Sequence, residues 1–232
     1  AEEALSNVNL RVTRGQTVGI IGGTGAGKSS LVNLIPRFYD ASEGEVLVDG
    51  IPVSQYPLDC LRQKIGIVPQ NAVLFRGTVR ENLRWGKQDA TDEELLEALS
   101  LAQVREAIEE KGGLDAIVEQ GGKNFSGGQR QRLTIARALV RVPEILILDD
   151  SASGLDYATD AALRRAIRAL PQHPTVFIVS QRASSLMQAD QILVLDDGAV
   201  AGLGASDALL KTCPVYRAIY QTQFEQGGAA HA

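Results

Sequence analysis

Cysteine is scarce in this chain: Cys60 and Cys213 are the two in 232 residues, far apart and in no CxxC or Cys/His spacing. That excludes a disulfide-stapled fold and a thiolate zinc site, and reads as two unpaired thiols in a reducing compartment. Histidine is as rare, with His173 in a QHP turn and His231 near the C-terminus, neither beside a credible metal partner. A basic excess is missing too, since 23 Lys and Arg stand against 28 Asp and Glu for a net charge of −5. That excludes a general nucleic-acid binder. It leaves room for one nucleotide, which needs only local N–H groups and a lysine. No apolar run approaches the ~18 residues that a membrane span requires. The opening AEEALSNVNL has neither a basic leader nor an apolar stretch, so no signal peptide is expected. It starts almost inside a strand-like segment, as a piece of a longer polypeptide would. The closing EQGGAAHA, from Glu225, lacks large apolar side chains and is expected to be mobile. What remains, 44% hydrophobic and 22% charged, is enough for one domain or a core with an inserted lobe.

Short β-type runs recur at Val8–Val12, Thr17–Ile21, Glu45–Asp49, Lys64–Val68, Glu144–Leu148, Thr175–Val179 and Gln191–Leu195. ILIL, VFIV and ILVL are continuously apolar, which suits strands of a parallel sheet covered on both faces. Helical patterns alternate with them over Lys28–Ile35, Asp156–Leu170 and Ser206–Lys211, so the core is α/β with crossover connections. Between Gln70 and Pro143 the texture turns helical, with no convincing strand. Thr91 to Glu94 form a capping box, and a second helix starts at FSGGQ and stops before Pro143. The expected division is an α/β core of residues 1–70 and 143–224, a helical lobe of 71–142 and a tail of 225–232. Trp85 reads as packing for the lobe. Arg130, Arg132, Arg137 and Arg141 read as a solvated helix face.

Gly22-Gly23-Thr24-Gly25-Ala26-Gly27-Lys28-Ser29 fits the P-loop pattern in its required context, after a strand and opening a helix. Glycines let successive N–H groups turn inward around phosphates, where Cβ atoms would obstruct them. Lys28 brings a compact charge to the β- and γ-phosphates, and the Ser29 hydroxyl, followed by Ser30, suits Mg²⁺. Asp149 and Asp150 end the apolar run 145–148, where open α/β sheets place their ligands. Asp149 can hold Mg²⁺; Asp150 would face the γ-phosphate and the attacking water. Phe125-Ser126-Gly127-Gly128-Gln129 offers a second set of N–H donors at a helix start. Taken alone it fits a flexible glycine N-cap better than an anion site.

Together these motifs resemble the nucleotide-binding domain of ATP-binding cassette (ABC) transporters, in particular of exporters, from about Leu5 to Phe224. GGTGAGKS matches Walker A, ILILDD matches Walker B, and FSGGQRQR matches the signature LSGGQxQR with Phe125 for Leu. VPQNAVLF carries the Q-loop residue Gln70, SGLD (Ser153 to Asp156) resembles the D-loop, and VEQGGKNF resembles an X-loop that puts Glu119 near transmembrane coupling helices. The resemblance implies a P-loop NTPase core with a mostly parallel sheet, a small antiparallel β region on the N-terminal side and an inserted helical lobe. It implies ATP and Mg²⁺ as ligands, with the metal at Ser29, Gln70 and Asp149. It implies two such domains head to tail, each ATP clamped between one Walker A and the other subunit's Ser126 to Gln129, at the cytoplasmic face of a membrane. Gln70 would relay the state of the water and metal region, and Asp156 would touch the opposite subunit.

Two departures stand out. The family's catalytic Glu is Asp150 here, and its switch His is Gln181. Asp is one methylene shorter, and Gln cannot hold or pass a proton as His does. Together they fit the degenerate half of a heterodimeric exporter, with catalytic positions Asp150, Gln181 and Gln70. A regulatory module that holds ATP almost without turnover is the alternative. A third reading, a DNA-repair or chromosome ATPase sharing the signature motif, is disfavoured, because those relatives insert long coiled coils, the interval 71–125 has no sustained heptads, and the acidic balance opposes it. No aromatic precedes Phe38, so either the family's adenine-stacking residue lies upstream of Ala1, which is the expectation, or adenine stacking is absent.

Overall fold

The structure, a computed structural model, describes residues 4–151 and 154–228, the side chains of 225–228 excepted. The chain forms two compact bodies, Ala1–Arg62 with Thr175–Ala232, and Gln63–Pro174. It begins in the first with β1 (Thr17–Gly22), α1 (Lys28–Leu34), the strand pair β2 (Leu47–Val48) and β3 (Ile51–Pro52), and α2 (Leu58–Gln63). The second body holds β4 (Ile65–Val68), β5 (Gly77–Thr78), α3 (Val79–Arg84), α4 (Asp92–Leu101), α5 (Arg105–Glu109) and β6 (Ile117–Val118). It continues with α6 (Gly127–Leu139), β7 (Ile145–Asp149) and α7 (Tyr157–Arg168). The chain returns to the first body as β8 (Thr175–Val179), β9 (Gln191–Asp196), β10 (Ala199–Gly204), α8 (Ser206–Thr212) and α9 (Pro214–Gly228).

In the first body β1 lies between β8 and β9 and is parallel to both. Its core position follows from TVGIIG, in which every residue is buried, and from Ile192 to Leu195, which are fully buried in β9. β10 closes this edge antiparallel to β9, with a register shift between Val200 and Gly202. Val8–Val12 is not the strand its composition predicts. Asn7 sits at φ 52°, which turns the chain out of the pleat, and pairing is confined to an isolated Ser6–Ala199 bridge. Glu45–Asp49 shortens to β2, because Asp49 (φ 52°) and Gly50 (φ 76°) form a two-residue hairpin turn into β3.

In the second body β4 and β7 pair in parallel, from Ile65 opposite Ile145 to Val68 opposite Leu148. α6 packs on β4, α3 and α4 through Leu133, Ile135, Ala136 and Leu139, all buried. α3, α4 and α6 each open on a capping box, at Thr78/Glu81, Thr91/Glu94 and Ser126/Gln129. The absence of strands expected between Gln70 and Pro143 is corrected by β5 and β6, a two-residue antiparallel pair too short to leave a periodicity signal. Compact packing here extends beyond the segment 71–142, because β4, β7 and α7 belong to the same body. The tail is corrected as well: the backbone of Glu225 to Gly228 continues α9, while residues 229–232 lie outside the described set. Among the described residues no helix is long and apolar enough to cross a membrane.

Gly86, just past α3, supplies a test of this packing. A Cβ there would lie 2.1 Å from the Arg137 carbonyl oxygen, against the backbone of α6. Gly86→Ala is expected to destabilise the protein by about 1–3 kcal/mol, read as a lower urea midpoint at constant slope.

Candidate functional site

The P-loop is built where β1 runs out. Gly22 is buried beside β9, so close that a Cβ on it would lie 2.2 Å from the Leu195 carbonyl oxygen. The loop then turns over Gly23 to Ala26, with the Ala26 N–H donating to the Gly23 carbonyl at 3.3 Å and the Ala26 methyl buried. Gly27 caps α1 in the left-handed region (φ 88°, ψ 5°), where a side chain would be strained. Its missing Cβ also makes room for the N-terminal segment, since one would lie 2.6 Å from the Ala4 carbonyl oxygen. Lys28 is buried, and its Nζ donates to the carbonyls of Gly22 (2.9 Å) and Gly23 (2.6 Å). The ammonium is thus held at the loop it serves, while Gly23, Thr24, Gly25 and Ser29 are exposed. Gly23 and Gly25 have nothing within 4 Å of a built Cβ. An open, glycine-lined cradle with one fixed cation is a phosphate-shaped donor set.

Gln181 belongs to the same body. It follows β8, whose register with β1 sets Val179 opposite Ile20, so two residues further on Gln181 comes level with Gly22. Its neighbours Ser180 and Ala183 are buried, and Gln181 itself is exposed.

In the second body the acids and the Q-loop residue come together by the same logic. Val68 is paired with Leu148, so two residues on Gln70 meets Asp150, and the Gln70 Nε2 donates to Asp150 Oδ2 at 3.4 Å. Asp150 sits at φ 45°, in the left-handed region that Asp tolerates better than most side chains. Asp149 ends β7, half-buried.

Ser126 and Gln129 are partly occupied with each other. The Ser126 Oγ accepts from the Gln129 N–H at 3.2 Å, and the Gln129 Oε1 accepts from the Ser126 N–H at 3.0 Å. Gly127 and Gly128, the first residues of α6, are left to present N–H groups, and Phe125 is buried with the Lys111 ammonium over its ring. The Leu-to-Phe change at 125 is therefore a packing substitution. Asp156 caps α7, accepting from the Thr159 hydroxyl (2.7 Å) and N–H (2.9 Å). Those bonds hold its carboxyl below the usual range, the hydroxyl contributing most. Ser153, in the D-loop segment, lies outside the described residues, and Glu119 is exposed just past β6.

The arginine face is corrected. Arg130, Arg137 and Arg141 are half-buried and donate to the carbonyls of Phe125, Val73 and Gly86, at 2.8, 3.0 and 3.0 Å. Burial also lowers the Arg137 pKa. Long side chains on and just past α6 thus tie down loops, which a helical pattern of charges does not reveal. Trp85 is not interior packing: it is 65% exposed and stacks on Phe75 with ring centroids 4.5 Å apart. One structural residue escaped the sequence altogether. Asn82, 2% exposed, bridges the N–H and carbonyl of Phe75 at 2.8 Å each and so folds the end of the Q-loop. Its signal would have been a polar residue on the apolar face of α3.

Residues 5–153 match the ABC transporter family. The ABC transporter ATP-binding protein YfiB of Bacillus subtilis (strain 168) is 45% identical over 228 residues, covering 98% of this chain and 39% of YfiB. The ATP-dependent lipid A-core flippase of Haemophilus ducreyi is 37% identical, over 97% of this chain and 39% of the flippase. Among solved structures, a bacterial Atm1-family ABC exporter with ATP bound superposes with a TM-score of 0.92 at 36% identity, over 96% of this chain and 39% of the exporter. The chain thus spans about two fifths of the length of these relatives. With its P-loop, its paired Gln70 and Asp150 and its FSGGQ helix start, the chain belongs to the ABC transporter family, as a nucleotide-binding domain of the exporter type.

Proposed function

We propose that this domain binds ATP with Mg²⁺, pairs head to tail with a second nucleotide-binding domain across that nucleotide, and drives export through transmembrane domains at the cytoplasmic face of a membrane. Membership of the family supports this reading, as do the names of relatives that include a probable multidrug resistance transporter of Bacillus subtilis and a lipid A-core flippase. Residues 1–70 and 143–224 act as the nucleotide-binding core and 71–142 as the signature-bearing lobe. Gly22 to Ser30 take the phosphates, with Lys28 as the full charge. Ser29, Gln70 and Asp149 offer hydroxyl, amide and carboxylate oxygens, a donor set that fits a hard divalent cation. Mg²⁺, when bound, neutralises phosphate charge. Ser126, Gly127, Gly128 and Gln129 address the partner's nucleotide.

The chain's own site is slow, and its native assembly is a heterodimer whose partner supplies the Glu and His absent here. The Gln70–Asp150 contact carries this part of the reading. A carboxylate one methylene short, engaged by the Q-loop amide on a left-handed backbone, reaches less far toward an attacking water than Glu would. Gln181 can donate to a γ-phosphate but cannot accept and release a proton at neutral pH. The same contact favours a second reading, a regulatory module that retains ATP without turning it over. A partner whose own acid is as short, and which also lacks the His, would overturn the heterodimer.

Restoring both residues tests the slow site. Asp150→Glu with Gln181→His, in the full-length protein assembled with its partner, is expected to raise single-turnover hydrolysis about 10- to 100-fold. The left-handed backbone at 150 is expected to cost the Glu variant about 1 kcal/mol of folding stability, because Glu tolerates it less well than Asp. No gain would exclude impaired geometry as the cause of slowness. Undetectable turnover in the unaltered assembly, with ATP tightly retained, would favour the regulatory module.

The two phosphate-seeking surfaces separate by mutation. Lys28→Ala is expected to weaken Mg-ATP binding by this chain about 10- to 100-fold, the worth of one charge-assisted bond to phosphate. Ser126→Ala is expected to leave that affinity unchanged in calorimetry while reducing ATP-dependent pairing in size-exclusion chromatography.

A further inference from the structure

We propose that Gln223, on the C-terminal helix α9, is a positioning residue that orients Gln181. The inference rests on the reading of Gln181 as the γ-phosphate contact. The loop after β8 also has anchors of its own at both ends. The Ser180 N–H donates to the Ile20 carbonyl of β1 at 3.1 Å, and the Arg182 N–H donates to the Ser180 hydroxyl at 2.9 Å. Past it, Ala183 is fully buried and starts a one-turn helix closed by the Leu186 N–H on the Ala183 carbonyl at 2.9 Å. Between these anchors the Gln181 carbonyl is held by a side chain from far along the sequence. The Gln223 Nε2 donates to the Gln181 carbonyl at 2.6 Å, and its Oε1 accepts from the Ala183 N–H at 2.8 Å.

A side-chain amide does both at once, through two separate atoms, while remaining neutral. It fixes the plane of the Gln181 peptide, and hence the direction in which the exposed Gln181 side chain leaves the loop. Gln223 is itself held in place. Seven residues along a helix is close to two turns, so Gln223 lies on the face of Tyr216, which is fully buried and bonded to the Ser206 hydroxyl at 2.9 Å. Tyr220 and Phe224 flank it, their rings stacked 4.2 Å apart. Packing of α9 on β1, β9 and the one-turn helix after Ala183 makes the clasp a fixed reference against which the loop is set.

The test measures discrimination between a non-hydrolysable ATP analogue and ADP, each with Mg²⁺, on the full-length protein assembled with its partner. Gln181→Ala is expected to lower the ratio of the two affinities about tenfold, the size of one hydrogen bond to a charged phosphate. Gln223→Ala is expected to lower it by a similar factor with ADP affinity unchanged, and the double variant by no more than Gln181→Ala alone. Gln223→Glu keeps the acceptor for the Ala183 N–H and loses the donor to the Gln181 carbonyl, so it should also lower the ratio without unfolding the helix. Gln221→Ala, exposed on the same helix, is the control and should change nothing. If Gln181→Ala lowers the ratio but neither Gln223 variant does, or if the effects multiply in the double variant, the positioning role is overturned and the reading of Gln181 stands. If Gln181→Ala itself has no effect, the γ-phosphate reading falls, and the inference with it.

Discussion

Parallel pairing sets where the chemistry-bearing residues of this protein emerge, because parallel strands end on the same edge and a fixed register puts their following residues level. In the first body β8 ends opposite Ile20, two residues before β1 does, so Gln181 follows the sheet on the edge where β1 runs into the P-loop. In the second, the register of β4 with β7 puts Gln70 level with Asp150, and their side chains meet at 3.4 Å. A one-residue slip in either pair would carry the site residue out of level with its partner. The continuous burial of ILIL, VFIV and ILVL is therefore as much a part of the site as the glycines and carboxylates.

Around those strand ends, backbone conformations that most residues avoid are assigned to residues that accept them. Gly27 takes the left-handed position where the P-loop enters α1, and Asp150 takes one where β7 leaves the sheet. Placing Asp at 150 is thus consistent with two demands that pull apart: a carboxylate that reaches far enough to act, and a side chain that sits comfortably at positive φ. Capping does comparable work at FSGGQ, where Ser126 and Gln129 satisfy each other and leave the glycine N–H groups as the accessible donors.

Much of this was legible in the residues themselves. The P-loop, the strand-end acids, the Thr91 capping box and the strands over residues 145–149, 175–179 and 191–196 were readable because burial on both faces leaves an unbroken apolar run, and because phosphate loops and caps need particular residues in a particular order. β10 was not, since AVAGLG is small, glycine-bearing and only half-buried. Nor was the length of α9, whose residues past Phe224 are glycine-rich and polar while its hold on the fold comes from Tyr216, Tyr220 and Phe224 in register along one face. Val8–Val12 misled because alternation alone does not supply a partner edge, and Asn7 turns the chain away from one.

Sequence by itself determined the family, the order of the phosphate-binding and acidic motifs, and the two substitutions at 150 and 181, because each is a matter of residue identity and spacing along the chain. Tertiary structure alone decided that the arginines on and just past α6 tie down loops, that Asn82 folds the Q-loop, and that Gln223 clasps the loop of Gln181. Those roles rest on one or two side-chain bonds to backbone groups, some of them between residues far apart in the chain. No local pattern of hydrophobicity or charge encodes such bonds; packing creates them when it brings the donor and the acceptor within reach.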